Sequence, residues 1–524
     1  MNVAVVDIGK PGANFGWAMV GDMTAGGNDI DVCIQSLCCG PPKWAGKSFY
    51  EGNDCFFRQA LWLILFAISK DQFFAEKHPF LSLFEKLFPP SMIRFVFVAP
   101  PLKLMKLKSL LFCTLLGSVF SSASAETVIK ILHIQSNPKI REIWQEAAQK
   151  FESAHAGVKV QFNYLENEAF KAKLPTLLQS KEKPSAFHSW GGGVMYEQVN
   201  SGICQDITKS VTEGGFKESF YPGTIENFTV EAKVYGLPNN VGPIVLWYNK
   251  ELCQKAGVDP TKIKYWDDFV DAVKKCQAAG ITPAAAGGKD KWPLHFYTAM
   301  LMMRVLGKEG MEAAYQDKNG GFANPDVVKA FKLFQDFAAL QPFQKGYLAN
   351  TYGEAGGTFH DGKTAFHLMG SWDMVEGRGN AADKKGLPDE KLGWVLFPEV
   401  QGGKGKANDL LASLDGWLVT KEASKETIDF MRVLLGKDIQ TELAAPGLFI
   451  PAVKGTAEAI QEPLLKQIAR EIDRSQWIQI AMDQLLGPDT GRVFNDMSAD
   501  LASGKTTPEK AAKSLEASWQ QNKS

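Results

Sequence analysis

Enzymatic chemistry needs a few side chains at fixed spacing, and in this chain the residues able to supply it are scattered. The seven histidines include His360 and His367, which lie across an expected turn and strand with no carboxylate at metal-ligand spacing, so no metal site is read. A G-x-S-x-G nucleophile elbow, a P-loop lysine and a G-x-G-x-x-G after a strand are all missing. Gly191-Gly192-Gly193 has no partners that would make it a phosphate cradle. Paired acids such as Asp267 and Asp268 fall at an expected helix start, where capping accounts for them. No catalytic residue and no cofactor is therefore assigned. A secreted glycoside-processing enzyme, which needs two opposed acids, remains as a minor alternative.

The tryptophans carry more information. Ten of them follow residue 126, and four sit among turn and polar residues rather than in apolar runs: Trp190 in FHSWGGG, Trp292 in GKDKWPL, Trp372 with Asp373 in MGSWD, and Trp417 with Asp415 in SLDGW. A flat apolar ring beside a short carboxylate or amide suits a sugar. The C–H face of the sugar stacks on the ring while its hydroxyls find donors and acceptors around the edge. The competing reading for each tryptophan is packing in a core or hinge. For the acids it is a turn cap at Asp415 and an ion pair between Asp373 and Arg378. Trp144, Trp266, Trp394 and Trp477 read as core or surface.

Alternating strands and helices must position these side chains. From Val128 the pattern is a strand (VIKILHI), a loop from Gln135 to Pro138, and an amphipathic helix from Lys139 to Ala154 with Ile140, Ile143, Trp144, Ala147 and Phe151 on one face. A second strand, VKVQFNYL, completes a βαβ unit. The strand VYGLPNN and the run IVLWYNK come later. Helices are expected at Asp267 to Ala279, His295 to Leu306, Pro325 to Leu340 and Lys425 to Leu435, with two more at the C-terminus. Strands are expected near Thr364 to Met369 and Leu414 to Val419. The fold class is α/β, and residues 126–524 suffice for two lobes with a cleft between them.

Composition narrows the partners. The 524 residues are 45% apolar and 22% charged with a formal charge of −1, which describes a globular chain with no basic stripe for nucleic acid and no polybasic membrane patch. Of eight cysteines only Cys204, Cys253 and Cys276 follow residue 126. The alternatives for them are a Cys253–Cys276 bridge with one thiol left over, or three buried thiols. Met105 opens a stretch with Lys106 and Lys108, an apolar run from Leu110 to Phe120 and the small-residue site Ala123-Ser124-Ala125. This reads as a cleaved secretory signal peptide at 105–125, too short for a membrane span of about 20 residues. Residues 1–104 are then expected to be a misassigned or fused extension without function. Its strand and Gly-rich turn between Asn2 and Asp31 are a single unit that cannot bury its apolar faces alone.

Several segments together carry a resemblance: IREIWQEAAQKFESAHAGVKV, PSAFHSWGGGVMYEQVNSGICQDIT, VYGLPNNVGPIVLWYNKELCQKAGV, YWDDF, DGKTAFHLMGSWD, LDGWLVTKEASKETIDFM and GRVFNDMSADLASGKTTPEKA. In this order over nearly all of Thr127 to Trp519, the chain resembles the carbohydrate-binding class of ABC-importer solute-binding proteins, the group that includes maltose-binding protein. The resemblance implies a two-lobed periplasmic binding protein fold that closes on a sugar at its hinge and docks, as a monomer, on membrane permease subunits. It implies ligand contacts from Asn137 in the loop after the first strand, Glu168 at the head of the second helix, Trp190, Asn239, Asn240, Trp292, Trp372, Asp373, Asp415 and Trp417. Glycines stand after Trp190 and at Gly242 where maltose-binding protein supplies polar side chains, so the ligand need not be maltose, and the class expected is a mono- or oligosaccharide. A receptor for a polyamine, a peptide or a phosphate ester is the alternative, and it would need a more charged cleft.

Overall fold

The computed structural model describes residues 126–523 and the backbone of three short strands before them. The expected leader at 105–125 and most of the extension at 1–104 lie outside the described residues. The chain divides into two compact units, Met1–Leu116 and Gly117–Ser524. In the first, strands β1 (Asn2–Val5), β2 (Met19–Asp22) and β3 (Gln35–Ser36) pair antiparallel in that order.

The second unit is organised on one ten-stranded mixed sheet. The expected βαβ unit opens it. β4 (Thr127–His133) and β5 (Val158–Tyr164) are parallel neighbours in register, joined by a helix over Pro138–Ala154. That helix starts where Asn137 accepts hydrogen bonds from the Lys139 and Ile140 amides, with proline at the first position, a favoured arrangement for both residues. It buries Ile140, Ile143, Trp144, Ala147, Ala148 and Phe151, a stripe at three- and four-residue spacing. β6 (Ala186–Ser189) adds parallel to β4. β7 (Thr229–Val230) and β8 (Lys233–Val234) form a separate hairpin.

The two runs VYGLPNN and IVLWYNK are not separate strands. They join in β9 (Gly236–Asn249), despite prolines at 238 and 243 that break most central strands. The exception has a visible cause. Up to Pro243 the strand pairs with β13 (Leu410–Val419), and from Ile244 onward with β11 (Thr364–Gly370) and β12 (Leu392–Val395). Pro243 stands at this handover, and its carbonyl accepts from the Ser371 amide at 2.9 Å. β10 (Thr282–Ala285) lies beyond β11, and β14 (Ile450–Pro451) and β15 (Ile478–Ile480) flank β9 and β13.

Two apolar cores form on this sheet. One gathers Ile129, Ile131, Trp144, Phe170, Phe187 and Leu418; the other gathers Trp247, Trp266, Phe269, Tyr297, Phe334 and Phe366. β9 contributes Leu237 and Val241 to the first and Ile244 through Tyr248 to the second. The expected helices are present at Trp266–Ala278, Trp292–Tyr315, Pro325–Ala339 and Lys425–Leu434, the second of them longer than its apolar pattern indicated. Cys204, Cys253 and Cys276 are all buried free thiols, so no Cys253–Cys276 bridge is formed.

One buried cation locks the second core. Arg304, in the helix Trp292–Tyr315, is fully buried and donates to the carbonyls of Phe397, Ala407 and Asp409 at 3.0–3.3 Å. Replacing it by alanine strands three carbonyls and leaves a void. Arg304→Ala is therefore expected to destabilise the protein by roughly 3 kcal/mol or more, read as a lower urea midpoint.

Candidate ligand-binding site

Where β9 passes from one core to the other, polar residues interrupt its apolar run. Asn240 pairs with Asp415 across the ladder, and the register then shifts so that Gly416 faces Pro238, leaving Asn239 as the extra residue of a bulge. Bulges re-aim side chains beside functional sites. Here the result is a hydrogen-bonded chain leading out of the core. Gln440 donates to Asn239 at 3.2 Å, Asn239 to Asn240 at 2.7 Å, and Asn240 to Asp415 at 2.9 Å.

Asn240 and Asp415 border a cavity of about 160 Å³ lined by residues of both cores. Trp190, Trp292, Trp372 and Tyr352 form aromatic walls, and Asn137 and Trp417 also border it. Trp190 directly follows β6 and meets His188 edge-on at 4.6 Å, with the Lys171 ammonium 5.4 Å from its ring centre. Trp292 opens its helix and packs on Tyr352 with ring centres 5.0 Å apart. Asn137 spends its carbonyl oxygen on capping its helix, which leaves its amide N–H groups as the free polar function. Trp417 is almost fully buried, edge-on to Trp144 at 5.4 Å.

Of the ten sequence-nominated residues, Asn137, Trp190, Asn240, Trp292, Trp372, Asp415 and Trp417 are thus brought together on one cavity. Asn239, also nominated, lines it as well. Glu168 and Asp373 do not line it. Glu168 points along its own helix, in an ion pair with Lys171 at 3.0 Å, and it is Lys171 that reaches the cavity. Asp373 is buried under the sheet end, 3.2 Å from His360 and 3.8 Å from His367. Burial raises its carboxyl, but the His367 and His360 rings outweigh that and hold it below the usual carboxylate range. Arg378 pairs with Asp389 instead of Asp373, and Asp415 lies within a strand rather than capping a turn.

The acid that does face the cavity from this helix is Glu376, which the sequence reading passed over. A usable signal was present: Glu376 is four residues from Trp372, on the same face of a helical turn, whereas Asp373 is one residue away and points elsewhere. Burial, followed by the charges of Asp415 and Asp373, pushes the Glu376 carboxyl up to about 7. Burial likewise pushes Asp415 up to about 6, against the hydrogen bonds from Asn240 and Ser413. His188 is held neutral, its value lowered to about 3 by burial, then by His133 and Lys171. The side-chain nitrogens of Trp144, Trp292 and Trp417 and Nε2 of His188 are buried beside the cavity with no hydrogen-bond partner among the described protein atoms.

The glycines after Trp190 have a packing role. Gly191 has φ of 69°, and a Cβ on Gly193 would lie 2.5 Å from the amide nitrogen of Gly487. Bare backbone there lets the helix Gly192–Asn200 approach the turn that brings Asp483 and Gln484 to the cavity.

Residues 137–441, more than half of the chain, match the family described as bacterial extracellular solute-binding protein. The chain belongs to this family. Among relatives of this solute-binding protein, an uncharacterized ABC transporter extracellular-binding protein of Pyrococcus horikoshii is 27% identical over 253 residues, covering 47% of this chain and 55% of that one. A probable sugar-binding periplasmic protein of Mesorhizobium japonicum is 27% identical over 238 residues, covering 45% and 54%. The chain thus spans about half the length of these relatives. A solved structure from Caldanaerobius polysaccharolyticus, from work on xylan utilization, superposes with a TM-score of 0.68 at 26% identity, covering 74% of this chain and 99% of that one. Among the described residues of the solute-binding protein, no helix is long and apolar enough to cross a membrane.

The raised carboxyls fix a pH dependence. Glu376 titrates higher folded than unfolded, so its contribution to stability is full below the ordinary glutamate range and is lost as pH rises through about 7. Glu376→Gln is expected to leave the melting temperature unchanged near pH 4.5. At pH 8 it should raise stability by on the order of 1 kcal/mol, discounted for the residue's partial solvent contact. Melting curves across that range check it.

Proposed function

We propose that this solute-binding protein is the sugar receptor of an ABC importer. In this reading it is exported through a cleaved leader to the periplasm, captures a mono- or short oligosaccharide by hinge closure, and delivers it as a monomer to permease subunits. The observation that carries the proposal is the cavity lining. Aromatic walls from Trp190, Trp292, Trp372 and Tyr352 stand beside Asn137, Asn240, Asp415 and Glu376. A polyhydroxylated ring suits this lining, since its C–H face stacks on the indoles while its hydroxyls exchange hydrogen bonds with the amides and carboxyls at the edge. The cavity of about 160 Å³ is below the roughly 300–1,000 Å³ of drug-sized ligand pockets, which supports a small ligand. The relative described as sugar-binding and the neighbour from xylan work support the same ligand class.

Charge argues against one of the other solutes. Among the described residues Lys171 is the one lysine or arginine lining the cavity, against Asp415, Glu376 and Asp483, which disfavours phosphate esters. The same acids suit a polyamine, which the test below separates from a sugar. Glu376 and Asp415 also favour a second reading, glycoside processing, because a raised acid beside a second carboxylate is what such hydrolysis requires. Membership of a binding-protein family weighs for capture without turnover.

The test is intrinsic tryptophan fluorescence and thermal melting against mono- and oligosaccharides, with polyamines and dipeptides as controls and chromatography of the sugars after incubation. The expected outcome is a saturable spectral shift and a raised melting point for one sugar, with that sugar recovered intact. Cleaved sugar would establish the enzyme reading, and a response to a control solute alone would overturn the carbohydrate assignment.

A further inference from the structure

Trp372 lies on a surface made of missing side chains. A Cβ on Gly242 of β9 would fall 2.6 Å from Cε3 and Cζ3 of the indole, and a Cβ on Gly370 of β11 would overlap Cζ3, Cη2 and Cε3 of the same ring. The two glycines are diagonal neighbours on adjacent strands, since Gly370 pairs with Ile244, two residues from Gly242, and the Ser371 amide donates to Pro243. Neither has a positive φ, so the backbone at both positions accepts any L-residue. Glycine within a strand weakens it and often marks a close approach. Here the approaching group is one benzo ring, which also meets Phe296 edge-on at 6.4 Å and faces the cavity.

We propose that Gly242 and Gly370 are specificity-determining residues of the binding site: they seat the Trp372 ring low against the sheet, and this depth sets how thick a ligand the cavity admits. The proposal rests on the sugar-receptor reading for the identity of the ligand, but the seat itself is a property of the protein alone. A single methyl group at Gly242 has no room beneath the ring. The indole must rise into the cavity, taking volume that a stacked sugar ring would occupy. Tight interiors transmit added volume as displacement. Gly242, which by resemblance is a polar ligand contact replaced by nothing, is therefore a positioning residue that acts through Trp372.

Two double-mutant cycles on the full chain test this, using wild type, Gly242→Ala, Trp372→Ala and the double variant. The first measures melting temperature without ligand. Gly242→Ala is expected to lower it when Trp372 is present and to leave it nearly unchanged in the Trp372→Ala background; equal losses in both backgrounds would overturn the seat. The second measures affinity by titration calorimetry for the solute that the fluorescence panel returns. Gly242→Ala is expected to weaken binding by about tenfold or more, with little further loss in the Trp372→Ala background. Unchanged affinity in Gly242→Ala, with the melting coupling intact, would overturn the role in specificity. If the panel returns a control solute rather than a sugar, the carbohydrate reading fails, while the melting cycle still decides the seat and the affinity cycle on that solute the role in specificity.

Discussion

The structure depends on β9 being one continuous strand that serves two cores. Its first half is hydrogen-bonded to β13 and buries Leu237 and Val241 in one core, while its second half is hydrogen-bonded to β11 and β12 and buries Ile244 through Tyr248 in the other. A strand can change partners in this way only if its backbone groups remain paired on both sides of the change. Pro243, with no N–H to satisfy, occupies the point of change and still accepts a bond from Ser371. Everything placed beside that point is shared between the two halves of the sheet.

The candidate site follows from this crossing. Apolar side chains cannot serve two cores at once at the handover, and the sequence there turns to Asn239, Asn240, Gly242 and Pro243. The bulge opposite Asp415 and Gly416 directs the amides and the carboxylate outward, and the hydrogen-bonded chain back to Gln440 holds them in fixed orientation. Around them, strand ends and helix starts deliver flat rings: Trp190 after β6, Trp372 after β11, Trp292 and Tyr352 at the first positions of their helices. Preorganised polar groups between rigid aromatic walls suit recognition of a polar ring by shape and hydrogen bonding. Asp373, with His360 and His367, lies deeper and anchors the helix that carries Glu376.

Much of the fold was legible in the residues. The helix over Pro138–Ala154 follows from its apolar spacing and its Asn-Pro start, and β4 and β5 follow from alternation between turn residues. The anchors of the site were legible too, because tryptophans set among Gly, Asp and Ser are out of place in an ordinary core. Errors arose where a local rule was overridden by partners distant in sequence. VYGLPNN and IVLWYNK read as two separate runs, whereas partners some 120 to 180 residues away unite them in β9. Helix phase relative to the cavity decided between Asp373 and Glu376, and phase is set by what the helix packs on.

The sequence by itself determined the element types, the apolar faces, the absence of familiar catalytic motifs and the setting of tryptophans beside carboxylates and amides, because these depend on residue type and short-range spacing. Only the tertiary structure decided which acid faces the cavity, that the glycine run after Trp190 serves backbone packing, and that Gly242 is the floor beneath Trp372 rather than a lost contact. Those facts are distances between atoms remote in the chain, and no spacing within one segment encodes them.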